Sequence, residues 1–319
     1  MIDLEINQIP DKFWNKRLIE TNTGTVYQTK EYAKYAKTIL KWTPLFLSFH
    51  NANGDYLGQL LLFKYKYQNH KFVNLRNFFS TKKIIHRWFY GPVIFDSSYN
   101  IEIIDRLQEY LLKTNSKIHG SFHPLSENNF NLINPMKSNV WSTFLINLKQ
   151  SEENILKKMN KHSAQKNIRR AKSRGVTIQT ISENNIHHYH TLLSQTKEKS
   201  GITINTNDEK QLWDILKPIG FTGFLVMYKE KPIGGLLIST FNGYINEWGV
   251  ARSDLDFKEK LYSQDLIKWE IISWGKKQNF SYYDLSGVNR NSEDKKEKGI
   301  FQYKKKWGGD LYDYDILTL

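Results

Sequence analysis

The stretch GIFQYKKKWGGDL, residues 299–311, places three lysines between two aromatic residues and closes on a glycine pair. Ile300, Tyr303 and Trp307 fall at i, i+3 and i+7, the spacing of one helix face. Phe301, Tyr303, Lys305 and Trp307 also alternate as a strand would, but Gly308-Gly309 favours a short helix that stops there. On that helix Lys304 lies one turn beyond Ile300, at the border of the apolar face, whereas Lys305 and Lys306 point toward solvent. A lysine at such a border either snorkels into water or is held as a fixed ammonium. In the second case its chemistry is stabilisation of negative charge that develops on an oxygen during reaction.

Other chemistry-bearing residues are sparser. HHYH (187–190) sets two imidazoles one turn apart, as some zinc sites do, but Ile186, Tyr189 and Leu193 take the inward face, and no metal is expected. The chain has no cysteine, which removes thiolate nucleophiles, disulfides and Cys-ligated zinc. Trp248 either lines a substrate groove or packs in a core.

The elements that must position these residues repeat. Residues 44–66 and 221–241 each read as two β-rich runs around a turn, and Leu57-Gly58-Gln59-Leu60 matches Ile233-Gly234-Gly235-Leu236. The turns are placed at Asn53-Gly54 and Lys231-Pro232. A third run, 244–251, follows Asn242-Gly243; its counterpart in the first half is assigned to WFYGPVIF, 88–95. Amphipathic helices precede the meanders at 26–40 and 184–199 and follow them at 101–114 and 261–277, each of the latter leading into a strand, 117–124 or 280–288. Helix, three strands, helix, strand thus occurs twice. The expectation is α/β (α+β): two domains, 1–140 and 141–319, each a mixed twisted sheet flanked by helices. The segment 141–148 opens the second, and the last strand, 310–319, packs with the first.

Length supports two domains: 319 residues exceed one ordinary core. With 39% hydrophobic and 14% aromatic residues the chain folds rather than staying disordered. No run approaches a membrane span, and the first residues lack a signal-like apolar stretch, so a cytoplasmic location is expected. The net charge of +14 attracts polyanions such as nucleic acid, anionic lipid or phosphorylated substrates, although a Lys-, Asn- and Ile-rich composition also raises it. The excess concentrates in 151–179, read as one helix ending at Gly175 and then a strand; from Lys157 to Arg174 it holds no acid. A helix of one sign suits a phosphate-bearing partner better than i,i+4 pairing.

Within that helix KNIRRAKSRGVTI (166–178) resembles the "NIRKA…GV" segment of the FemABX family. YDLSGV (283–288) resembles its "YDFGG", GIFQYKKKWGG (299–309) its "GLYxFKxxFGG", VYQTKEYAKYAK (26–37) its "QSxxWaxxK", and YGPVIFD (90–96) its "RGPVxD". These segments keep family order across nearly the whole chain. There are departures. Tyr90 stands in place of arginine before Gly-Pro, His123-Pro124 replaces an acidic residue before proline, Lys199 replaces an arginine, and no coiled-coil arm fits.

The resemblance implies tandem GNAT-like domains and transfer of an amino acid from aminoacyl-tRNA to an amine of a UDP- or lipid-linked muramyl peptide. It implies no metal or organic cofactor, and peripheral contact with an anionic membrane is compatible with it. It selects Lys304 as the catalytic cation near the reacting ester. His123 and Asp284 are the candidate bases, Tyr303 and Trp248 line the substrate, and Lys34, Lys37, Arg169 and Lys199 are candidates for the precursor's diphosphate. Two other functions stay open: an acyl-CoA-dependent N-acyltransferase on the same fold, and a non-catalytic RNA- or membrane-binding protein. An acetyl-CoA domain ordinarily places a glycine-rich turn after its fourth strand to cradle the pyrophosphate; residues 250–264 contain no glycine, which favours the tRNA reading.

Overall fold

The computed structural model describes residues 2–66, 84–127 and 130–319. They form two compact units, Met1–Trp141 with Asp313–Leu319, and Ser142–Tyr312.

In the first unit β1 (Asp3–Asn7), β2 (Thr43–His50), β3 (Tyr56–Lys66) and β4 (Ile84–Trp88) pair antiparallel in chain order. The two-residue β5 (Val93–Ile94) adds a second antiparallel pairing to β3. The third run of the meander is therefore 84–88 and only touches the expected 88–95, because Tyr90 (φ +46°) turns the chain out of extended geometry before Gly91. Helix α1 is Trp14–Leu18, and α2 (Lys30–Thr38) starts at Thr29, whose hydroxyl accepts from the Tyr32 N–H at 3.1 Å. Helix α3 (Asn100–Leu112) returns the chain to β6 (Lys117–Ser121), which lies parallel to β4. The core joins Leu47, Leu60 and Leu62 of the sheet to Ile103, Leu107 and Leu111 of α3.

The second unit repeats the pattern. Strand β7 (Lys137–Asn147) leads in, and β8 (Thr177–Thr180), β9 (Phe221–Tyr228), β10 (Lys231–Phe241) and β11 (Tyr244–Arg252) form an antiparallel ladder. After the short α8 (Asp254–Lys258), helix α9 (Ser263–Lys277) crosses over to β12 (Tyr282–Val288), parallel to β11, and β7 pairs antiparallel with β12. The β10–β11 turn is Asn242-Gly243, both left-handed as a tight hairpin requires. The β9–β10 turn lies at Lys229-Glu230, before the expected Lys231-Pro232, and Pro232 sits next to a register shift that accommodates its missing N–H. Helices α6 (Ile186–Glu198) and α7 (Thr206–Leu216) precede β9.

The basic segment is not one helix. Helix α4 (Glu152–Lys158) ends at Met159, a π-turn spans Lys161–Gln165, and α5 (Lys166–Ser173) follows. Asn160 makes the break: its side chain caps the His162 and Ser163 N–H groups at 3.0 Å. Its own N–H donates to the Lys306 carbonyl at 2.8 Å, at the end of α10 (Lys295–Lys305). Gly308 (φ +72°) lets the two segments meet, since a Cβ there would lie 2.4 Å from the Lys158 carbonyl. Strand β13 (Asp310–Thr318) follows and pairs with β6 over its last residues.

Candidate active site

In the second unit the parallel strands β11 and β12 stay in register for only three pairs, from Tyr244↔Tyr282 to Asn246↔Asp284. Both then bulge. On β11, Ile238 opposes Glu247 and Leu237 opposes Gly249, so Trp248 is the inserted residue. On β12, Asp284 opposes Leu145 and Gly287 opposes Thr143, so two residues face one. Bulges re-aim backbone and side chains, and here they do so where the two strands part.

The β12 bulge holds Lys304. Ser286 adopts φ +67°, strained for a residue with a side chain, and this turns the Ser286 and Gly287 carbonyls toward α10. Lys304 Nζ donates to both, at 2.9 and 3.0 Å, which leaves one of its three ammonium hydrogens for another acceptor. The unusual turn is fixed by Asp284: its Oδ1 accepts from the Ser286 N–H at 2.7 Å and from Thr143 Oγ1 at 2.5 Å. Its Oδ2 accepts from Tyr244 Oη at 3.1 Å and Asn246 Nδ2 at 3.2 Å. The YDLSGV segment is thus a device that converts a buried carboxylate into a seat for an ammonium. Burial pulls the Lys304 pKa below the ordinary lysine value, and the nearby carboxylates of Glu247 and Asp284 oppose that shift.

A charged layer lies beside this seat. Lys268 of α9 and Glu247 of β11 are both nearly excluded from water and paired, and Tyr283 Oη donates to the same carboxylate at 2.5 Å. Lys306 pairs with Asp265 of α9, which also accepts from Asn167 Nδ2 of α5 at 3.3 Å. Asn167 belongs to the NIRRA motif, so three separated motifs converge on α9 and α10. Tyr303 is half-buried among these groups, with the Lys306 ammonium 4.2 Å from its ring centre. Burial first, and then the charges of Asp265 and Glu247, hold its pKa well above the ordinary tyrosine value.

The start of α9 is already occupied. Asp256, fully buried and paired with Arg252, accepts from the Ser263 N–H at 3.0 Å and from Ser263 Oγ at 2.7 Å. A carboxylate therefore sits on the helix N-terminus, where a pyrophosphate would otherwise be attracted.

The sequence-derived candidates divide accordingly. Lys304, Tyr303 and Asp284 gather in the second unit, with Trp248 on the β11 bulge and its ring edge-on to Phe221 at 5.2 Å. Asp284 carries at least four donors. Lys199 is in an exposed ion pair with Asp254, and Arg169 is exposed on α5. Lys34 and Lys37 are exposed on α2 of the first unit. His123 is also in the first unit, fully buried, with Nδ1 accepting from the Leu125 N–H at 3.0 Å; burial lowers its pKa to about 3 and keeps it neutral. Lys306 departs from its expected solvent position, because Asp265 draws it in. Among the described residues no group of three or more His, Asp or Glu is placed to hold a metal, and no helix is long and apolar enough to cross a membrane.

Glu247, Asp265 and Lys268 were missed as site residues. For two of them the signal was available: Asp265 and Lys268 share the apolar stripe of α9 with Trp269 and Ile272, and charges on a buried stripe demand partners.

The arrangement of two meanders, each closed by a helical crossover to a parallel strand, defines a tandem GNAT-type fold, and solved structures share it. FemX matches with a TM-score of 0.68 at 14% identity, over 98% of this chain and 96% of that one. L-PGS from Bacillus licheniformis gives 0.55 at 11% identity over 98% and 93%. A tandem GNAT protein of the clavulanic acid biosynthesis pathway gives 0.53 at 9% identity over 99% and 98%. At these identities the likeness shows the fold alone. No curated protein matches the sequence significantly. The FemAB family matches residues 132–208, the segment that carries the broken basic helix.

Proposed function

We propose that the protein is an aminoacyltransferase that moves an amino acid from aminoacyl-tRNA to an amine of a peptidoglycan precursor. The observation that carries this reading is the Lys304 ammonium, fixed by two bulge carbonyls with one N–H to spare. The neutral acceptor amine attacks the ester carbonyl carbon, and a C–N bond forms. The carbonyl oxygen takes negative charge and accepts from Lys304. The C–O bond to the tRNA ribose then breaks, and the amine's proton passes to the departing ribose oxygen. A donor of this kind contributes about 3 kcal/mol at the transition state, and holding amine and ester together supplies much of the rest. The ester is already activated, so the reaction requires neither metal nor organic cofactor.

Neither sequence-derived base is assigned a proton-transfer role. Asp284 is committed to its donors, and His123 is a buried neutral imidazole outside the unit that carries Lys304. On the RNA side, Lys161, Lys166, Arg169 and Lys172 have no protein partner among the described residues, whereas Arg174 is tied to the Lys260 carbonyl at 2.7 Å. These free cations suit phosphates of a tRNA acceptor end. The acyl-CoA alternative is disfavoured by Asp256, whose carboxylate caps the helix end that a pyrophosphate would need.

The test offers purified protein radiolabelled aminoacyl-tRNA or acetyl-CoA together with UDP-linked and lipid-linked muramyl peptides. Label is expected to pass only from tRNA; passage only from acetyl-CoA would overturn the reading.

A further inference from the structure

A cavity of about 350 Å³ opens at one end of the first unit's core, between the sheet and the end of α3. Thr43 of β2, Lys64 of β3 and His86 of β4 are register partners and form one row across its floor. The next row inward, Leu45 with Leu62, belongs to the core that packs on α3, so this is the α3 face of the sheet. Phe63, one residue from Lys64, faces the other way, onto Tyr32 of α2. Tyr110 of α3 closes the cavity from above, its ring centre 6.5 Å from that of His86, and Leu45 and Ile84 add aliphatic wall.

His86 is only 3% exposed, and its hydrogen bonds fix its tautomer. The Thr114 hydroxyl donates to the Leu111 carbonyl at 2.7 Å, so its one proton is taken. Ser116 Oγ, 2.6 Å from Thr114 Oγ1, must therefore be the donor of that pair, and it accepts in turn from His86 Nδ1 at 2.6 Å. Burial first, and then the Lys64 charge, lower the His86 pKa to about 4, so the ring is neutral with its proton on Nδ1. Nε2 is left as a bare acceptor. It has no partner among the described residues and stays open to the cavity that the ring lines. A ring with so low a pKa is a weak base at neutral pH, so it recognises a donor rather than abstracting a proton. A metal is a poor occupant, because the Lys64 ammonium flanks the ring and, among the described residues, no carboxylate lines the cavity. Lys64 itself has no ion pair or hydrogen bond among the described residues.

We infer that this cavity binds a small aliphatic monocarboxylic acid with a neutral N–H or O–H beside its carboxylate, as an α-hydroxy acid or the C-terminal residue of a peptide has. Lys64 answers the carboxylate, His86 Nε2 accepts from the neutral donor, and Leu45, Ile84 and Tyr110 take the aliphatic body. Register partners stand about 5 Å apart, which suits an acid and a donor on neighbouring atoms. One lysine balances one charge, so a phosphate dianion, which also offers no proton to Nε2, fits less well. A free amino acid would bring a second ammonium next to Lys64. The volume lies at the small end of ligand pockets, in keeping with an acid of this size. The site lies on the sheet face opposite α2, apart from Lys34 and Lys37, and it does not rest on the transfer chemistry.

The experiment titrates the full-length protein with N-acetylleucine and with 2-hydroxyisocaproate, followed by ligand-detected NMR. Saturable binding with a Kd on the order of 1 mM is expected for at least one of them, the scale open to a ligand of about a dozen non-hydrogen atoms. Isocaproate, which lacks the neutral donor, should bind at least fivefold more weakly. Lys64→Met should weaken the favoured acid at least fivefold, whereas Lys12→Met, the same loss of charge outside the cavity, should change it less than twofold. His86→Asn keeps a donor for Ser116 and removes Nε2. It should abolish the preference over isocaproate, an effect that a merely structural role for His86 would not produce. Thermal melts establish that each variant is folded, and the ligand series on the parent and Lys64→Met carries the test if His86→Asn is not. Tighter N-acetylleucine assigns a peptide end and tighter 2-hydroxyisocaproate a free hydroxy acid, and either supports the site. Absence of saturable binding by both acids, isocaproate binding equally well, an unaffected Lys64→Met, or a preference that persists in folded His86→Asn would each overturn the proposal.

Discussion

Asp284 invites two opposed roles, and one substitution separates them. In Asp284→Asn the amide oxygen stays at the Oδ1 position, because the Ser286 backbone N–H it faces cannot invert. The amide nitrogen then replaces Oδ2, toward Tyr244 Oη, which turns to accept, and Asn246, whose amide flips. The loss is the charge on an acceptor of at least four hydrogen bonds. A bond to a charged group exceeds a neutral one by about 1 kcal/mol, and some of the four re-form, so destabilisation of about 2–4 kcal/mol follows. That is a large part of an ordinary domain's stability but not all of it. The Ser286 turn survives, Lys304 keeps both carbonyls, and turnover should stay within about tenfold of the parent. A general base would behave in the opposite way, since its removal costs about 10²–10⁴ in rate with little change in stability. Asp284→Ala leaves the Ser286 N–H without its acceptor, frees the bulge and should slow transfer nearly as much as loss of Lys304. Urea melts paired with single-turnover transfer decide the matter. An Asp284→Asn protein of unchanged stability and transfer slowed by two decades would refute the positioning argument.

Two further outcomes follow from the packing. His123 has a folded pKa of about 3 against roughly 6.5 unfolded, so between those values the unfolded chain binds a proton that the folded chain does not. Its contribution is fully present above about pH 6.5 and is lost as pH falls, at up to about 1.4 kcal/mol per pH unit. Denaturant melts at pH 7 and pH 5 should show a smaller acid loss in His123→Asn, by about 2 kcal/mol, and equal losses would contradict the buried neutral ring. Gly308→Ala combines a left-handed backbone with a Cβ at 2.4 Å from the Lys158 carbonyl. It should destabilise by at least about 1–3 kcal/mol and slow transfer by shifting α10, and an unaffected melt would show that the junction with residues 158–160 is not tight.

Much of this architecture was legible because it is periodic. The paired meanders, α3, α9 and the Asn242-Gly243 hairpin follow from alternation, helical spacing and turn chemistry that act within a few residues. What was not legible depends on long-range partners. The basic segment looked continuous because Lys, Ala and Arg favour helix, but the Asn160 N–H finds the Lys306 carbonyl and the helix breaks there. Lys306 looked solvated because its own neighbours are lysines, whereas its partner Asp265 lies 41 positions away. Asp284 looked like a base because carboxylates often serve as one, and only the fold shows its oxygens already engaged.

The central claim is that one lysine of three is fixed for chemistry. Single-turnover transfer from aminoacyl-tRNA, measured side by side for the parent, Lys304→Met and Lys305→Met, tests it most directly. Loss of about 10²–10³ in rate is expected for Lys304→Met, the scale of one oxyanion donor, with Lys305→Met indistinguishable from the parent and both variants folded. Equal rates for all three would contradict the account.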